Sequence, residues 1–110
     1  MKASSLTEVA EQLLTQAENT HSGRAAQTVY GGHDRVLRQT VIALAAGHEL
    51  AEHESPGEAT LQVLTGRVRL TAGDDAWEGT TGDLAAIPPA RHALTAVERS
   101  AILLTVRLSS

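Results

Sequence analysis

Gly47-His48-Glu49-Leu50-Ala51-Glu52-His53-Glu54-Ser55-Pro56-Gly57-Glu58-Ala59-Thr60-Leu61-Gln62-Val63-Leu64-Thr65-Gly66-Arg67-Val68-Arg69-Leu70-Thr71 is the stretch whose reading decides the fold. It opens at a glycine and crosses a polar loop through Ser55-Pro56-Gly57. It then becomes two β-rich runs, Leu61–Leu64 and Val68–Thr71, that meet at Thr65-Gly66. Two such runs joined at a glycine read as a β-hairpin. In the second run Arg67 and Arg69 alternate with Val68 and Leu70, so one face of that strand should be wet and the other buried.

The same pattern extends in both directions. Upstream, Gln27-Thr28-Val29-Tyr30 and the long branched run Val36 to Ala45 flank the turn cluster Gly31-Gly32-His33-Asp34. Downstream, Ala72-Gly73-Asp74-Asp75 and Thr80-Thr81-Gly82-Asp83 are turns around the short strand Ala76-Trp77-Glu78. Leu84-Ala85-Ala86-Ile87 follows, is stopped by Pro88-Pro89, and His92-Ala93-Leu94-Thr95 and Ala101 to Leu108 complete the set. Roughly eight short strands separated by Gly, Pro and Asp turns point to an all-β antiparallel sandwich or closed barrel. No long helix intervenes, which excludes a parallel α/β sheet.

Only the beginning is helical. In Leu6-Thr7-Glu8-Val9-Ala10-Glu11-Gln12-Leu13-Leu14-Thr15-Gln16-Ala17 the apolar residues fall on one helical face. Ser5 and Glu8 fit a capping box, and the polar stretch from Asn19 ends the helix. So short a helix is marginal alone and must dock, either on the barrel or on a partner subunit. The expected organisation is helix and linker over residues 1–23 and a β-barrel over 24–110, together one structural unit of ordinary domain size.

Composition narrows the function classes. The net charge is −4 and the nine Lys and Arg are scattered, so no basic face for nucleic acid is expected. There is one Trp, one Tyr and no Phe, which removes base-stacking platforms and makes an aliphatic pocket the expectation. No cysteine is present, so there is no disulfide framework, thiolate ligand or cysteine nucleophile. No stretch reads as a signal peptide or membrane span, and a cytoplasmic protein is expected.

Periodicity alone leaves a jelly roll and an immunoglobulin-like sandwich open. The glycine-spaced segments separate them. Gly47, His53, Ser55, Ala59 and Gly66 fall at the spacing of the first cupin motif, in which a glycine precedes a His-x-His pair, a Glu and a closing glycine. Gly82-Asp83, Ile87-Pro88 and His92 resemble the second cupin motif, and fifteen residues separate Gly66 from Gly82, as in small bacterial cupins. The resemblance covers about Arg24 to Leu108 and implies an antiparallel jelly-roll barrel, often a homodimer, with a site inside the barrel mouth.

The resemblance also implies which positions would bind metal, and here the chain departs from the pattern. His53 and His92 stand at two ligand positions, His92 one residue nearer Pro88 than usual and with Ala90 where a glycine is expected. Ser55 replaces the second His, Ala59 replaces the Glu, and Ala96 stands at a final Asn position. A stable Zn, Fe or Mn site normally uses three or more protein ligands. His53 and His92 therefore form a partial metal site at most, no cofactor is expected beyond a weakly held divalent ion, and no catalytic residue is assigned.

The expected role is binding of a small-molecule ligand through His53, His92 and Ser55 in the barrel mouth. One alternative is a small cupin enzyme, either a metal-dependent dioxygenase or isomerase or a metal-free histidine acid–base catalyst. Another is a sensor acting through a partner. The remaining candidates have plainer readings. Glu58 should point away from the face of Ala59 as a solvated carboxylate, and His48 should be a surface residue. His21 and His33 lie in polar turns without a role. Ser55 as a nucleophile lacks an orienting third group, and Trp77 and Tyr30 are expected to pack the barrel.

Overall fold

The computed structural model describes residues 1–53 and 57–108. One helix, α1 (Leu6–Glu18), precedes nine strands: β1 (Arg24–Tyr30), β2 (Leu37–Leu44), β3 (Glu49–His53), β4 (Ala59–Thr65), β5 (Arg67–Ala72), β6 (Asp75–Thr80), β7 (Leu84–Ala86), β8 (His92–Ala96) and β9 (Ser100–Arg107). The sequence pattern places eight of these, while β3 lies inside the stretch it reads as a loop. The strands form two antiparallel sheets, one ordered β1-β2-β9-β4-β7 and the other β3-β8-β5-β6. Chain-adjacent strands fall repeatedly in opposite sheets, which is the jelly-roll arrangement.

The five-stranded sheet is apolar on both faces. Leu44, Leu61, Val63, Ile102 and Val106 point between the sheets and meet Val68, Leu70, Leu94 and Ala96 from the four-stranded sheet. On its other face, Val41 and Ala43 of β2 and Ala101 and Leu103 of β9 lie under Ala10, Leu13, Leu14 and Ala17 of α1. The helix therefore docks on the barrel. Burying each leucine contributes about 1.5–3 kcal/mol, which supplies the stability the isolated helix lacks. Its start is capped as expected, with the Glu8 N–H donating to Ser5 Oγ at 3.3 Å. At its far end Arg99 grips Glu18 with two bonds, Nη2 to Oε1 at 2.9 Å and Nε to Oε2 at 3.0 Å.

The four-stranded sheet is apolar on one face only. Val68 and Leu70 are buried while Arg69 between them is exposed, as the alternation in the sequence requires. Outside, Arg67 lies 3.9 Å from Glu78 and 3.5 Å from Glu98.

The two ends of the roll differ. At one end, the β4–β5 turn at Gly66 packs over the start of β9. Arg67 N–H donates to Ser100 Oγ at 3.0 Å, and that hydroxyl sits 3.0 Å from the Arg67 carbonyl and 2.7 Å from the Glu98 carbonyl. At the other end lie the start of β4, the β5–β6 turn and the start of β8. Two positions that the resemblance singles out, Ala59 and His92, open strands at this end.

Candidate functional site

The site is built on the ladder between β3 and β8. Leu50 pairs with Leu94, and His53 pairs with His92. Three residues on β3 therefore span two on β8, so β3 carries a bulge between Leu50 and His53. Its consequence follows from strand parity. In a regular ladder residue 52 would stand opposite His92 and residue 53 would fall on the outer face of the sheet. The extra residue brings the backbone of position 53, rather than 52, opposite His92.

His92 begins β8, where residues 92, 94 and 96 are buried and point between the sheets. Its ring is 4% exposed, and Nδ1 lies 2.9 Å from the Ala90 carbonyl. A carbonyl can only accept, so Nδ1 carries the proton, and in the neutral ring Nε2 is the basic nitrogen. The turn that holds this carbonyl is made by Pro88-Pro89-Ala90-Arg91, with Ala90 N–H donating to the Pro88 carbonyl at 2.8 Å. The diproline that ends the preceding strand also orients the imidazole.

Ala59 opens β4 at this same end and is 6% exposed, with its methyl in the inter-sheet core. The fold thus aims position 59 into the roll, where the resemblance implies a carboxylate, and this chain supplies a group with no donor atom. Glu58 is exposed on the opposite side, and its carbonyl accepts from Arg107 N–H at 2.9 Å. Ala96 is buried at the far end of β8, opposite Val68. Ser55 lies outside the described residues. Among the described residues no three His, Asp or Glu side chains form a metal-binding cluster. The donor set does not match the four-ligand pattern that the resemblance implies.

A cavity of about 320 Å³ is lined by Leu70, Ala72, Asp75, Trp77, Leu84 and Pro88 among others. It opens where the edge strands β6 and β7 of the two sheets approach each other. The middle of the roll, by contrast, is filled by Leu44, Val63, Val68 and Ile102. The register ties the cavity to the histidines. Thr71 pairs with Ala93 and Ala72 with Asp75. Extending the first pairing by one residue places Ala72 beside His92. One rung of the four-stranded sheet then reads His53, His92, Ala72, Asp75.

Composition points to an aliphatic pocket, and the structure corrects that reading: the chain's single Trp forms part of the wall. Trp77 pairs across the hairpin with Leu70. Its indole lies flat over Gly79, where an added Cβ would come within 2.1 Å of the ring. Gly79 is thus the residue that lets the indole lie along the strand. The sequence holds the signal for this arrangement, since a turn centred on Gly73-Asp74 sets Leu70 opposite Trp77 and Ala72 opposite Asp75.

Other residues fall away from the site. Tyr30 does not pack the barrel. It is 47% exposed and lines an open groove of about 720 Å³ beside the residues preceding α1, together with Lys2, Asp34 and Arg35. That groove is larger than the cavity at Trp77 but far from the histidine ladder, and its Arg35 is already held by Asp34 at 2.8 Å. His48 is half-buried against Gly23, a packing role, while His21 and His33 are exposed. No helix among the described residues is long and apolar enough to cross a membrane.

Comparison with solved structures agrees with this architecture. An RmlC-like cupin protein from Desulfovibrio desulfuricans superposes with a TM-score of 0.73 at 24% identity, over 97% of this chain and 96% of that one. A conserved protein of unknown function from Streptococcus pyogenes gives 0.72 at 29% identity, over 83% and 79%. A cupin 2 domain-containing protein from Halorhodospira halophila gives 0.72 at 18% identity, over 82% and 68%. No protein-family model matches the sequence, and no curated protein matches it. The two sheets, the glycine-delimited hairpins and these superpositions together show that the chain has the jelly-roll fold of its cupin neighbours.

Proposed function

We propose that this chain binds a small molecule at the His92 end of the roll without a firmly held metal. The observation that carries the proposal is the β3 bulge, which pairs the backbone of His53 with that of His92. A buried, oriented imidazole next to an apolar cavity supplies what small-ligand sites generally need, a few polar groups converging on a mostly apolar wall. The alanine at position 59 and the serine at position 55 favour this role over metal chemistry.

Screening metabolite mixtures by thermal shift, followed by NMR of the Trp77 indole and His92 ring signals, tests it. Binders should raise the unfolding temperature and move both signals together. His53→Ala and His92→Ala should each weaken a binder about tenfold, the loss expected from one hydrogen bond at roughly 1.4 kcal/mol per decade. Unchanged affinity in both variants would remove the histidines from the site. Near-stoichiometric iron, manganese or zinc in freshly purified protein would overturn the metal-free reading.

A second reading is favoured by the Nδ1–H···O=C bond from His92 to Ala90. That bond makes Nε2 the basic nitrogen, the state a general base requires. Metal-free proton transfer on a bound substrate is the activity this geometry would support, with His92 as the base.

A further inference from the structure

We infer that the cavity at Trp77 selects a small organic cation, an amine with a compact apolar body. The inference rests on the mouth-binding proposal and adds the ligand's charge. Its basis is the chemistry of the wall. The lining contains a single charged side chain, Asp75, and no Lys or Arg. The rest is apolar: Leu70, Leu84, Pro88, several alanines and the Trp77 indole. Asp75 has no ion-pair partner among the described residues, so its charge is available to a ligand.

An indole face and a carboxylate two residues apart on one strand both attract a cation, and both repel or ignore an anion. Asp75 and Trp77 share the inner face of β6 because side chains two apart on a strand point the same way. Leu84 supports the apolar half of the argument. It is a large hydrophobic residue, 66% exposed, at the cavity's edge, and a hydrocarbon body seated there would cover it. The rung geometry sets the ligand's reach. Asp75 and His92 are two strand spacings apart, about 10 Å. An amine held at Asp75 with an apolar body of a few carbons could extend a polar group to the imidazole.

The chain's single Trp makes the test direct, because its fluorescence comes from the cavity wall. Trp77 emission of the full chain is titrated with cyclohexylamine, cyclohexanol and cyclohexanecarboxylate at neutral pH and constant ionic strength. The amine should half-saturate at about one fifth of the alcohol's concentration, as expected for one carboxylate and one indole at an accessible site. The carboxylate should bind weakest. Asp75→Asn, an exposed substitution that leaves the core untouched, should bring the amine to the alcohol's value while the alcohol's stays unchanged. An alcohol that binds as well as the amine would overturn the inference, as would an amine preference that survives Asp75→Asn. Equal binding of all three probes would remove the charge selection while leaving the cavity a ligand site. No response to any of them would overturn the inference at the cavity itself, and the metabolite screen at His92 would still decide the wider proposal separately.

Discussion

The closed end of the roll and its mouth end are made from the same two sheets but solve different problems. At the closed end, polar groups are consumed internally. Ser100 Oγ accepts from Arg67 N–H and donates to one of two carbonyls within reach, and Gly66 lets the turn close onto it. At the mouth, His53 and His92 pair across the ladder and Asp75 lines a cavity. A buried hydroxyl bonded wholly inside the chain adjoins no open space, whereas the Asp75 carboxylate lines an unfilled apolar one. The difference teaches that burial of a polar group marks function here only where a space adjoins it.

The sharpest way to break this contrast is to damage each end in turn. Gly66 has φ +99°, and a Cβ there would lie 2.4 Å from the Arg99 carbonyl oxygen and 2.8 Å from Ser100 Cα. These are backbone atoms that cannot step aside. Gly66→Ala should cost about 3 kcal/mol or more, combining a left-handed backbone with overpacking. His92→Ala removes the bond to the Ala90 carbonyl at the mouth and should cost less, about 1–2 kcal/mol. Denaturant unfolding of the two variants measures both. A mouth substitution as damaging as Gly66→Ala would show that the mouth, too, is built for stability.

The smallest effect expected concerns the clamp outside the roll. The paired bonds from Arg99 hold the Glu18 carboxyl below the usual carboxylate range. A group whose pKa is lowered by folding stabilises the fold above its unfolded pKa, and the contribution is lost as pH falls through the lowered value. Glu18→Gln should therefore remove a small increment of stability near neutral pH and none in strong acid, where the carboxyl is protonated. Both residues are exposed, so the increment should be slight and should shrink with salt. Unfolding midpoints of the two proteins across the acidic range check this, and a difference that grows in acid would contradict it.

How far the residues announce this structure depends on whether their alternation is regular. The hairpin of β5 and β6 is legible because Val68 and Leu70 alternate with Arg67 and Arg69 up to a two-residue turn, and its register follows by counting. β3 is hidden because its bulge breaks the period. Leu50 pairs with Leu94 and His53 with His92, so three positions on β3 span two on β8, and no two-residue alternation exists to be found. The histidine positions are legible from spacing to the flanking glycines, but their backbone pairing depends on the bulge, which spacing does not reveal. Tyr30 misleads for a simpler cause. It follows a register shift in β1 between Thr28 and Tyr30, which takes it away from the core that its strand's pattern suggests.

The bulged register can be tested without any ligand. The chain has no cysteine, so an introduced pair has no competitor. Residues opposite one another in an antiparallel ladder have Cα atoms about 4.5–5.5 Å apart, within the span a disulfide bridges. Mild oxidation of the double variant His53→Cys/His92→Cys, read by mass spectrometry of proteolytic fragments, should give a nearly complete intramolecular disulfide, while Glu52→Cys/His92→Cys stays reduced. The reverse outcome, with position 52 bridged and position 53 free, would put His53 on the outer face and contradict the shared site.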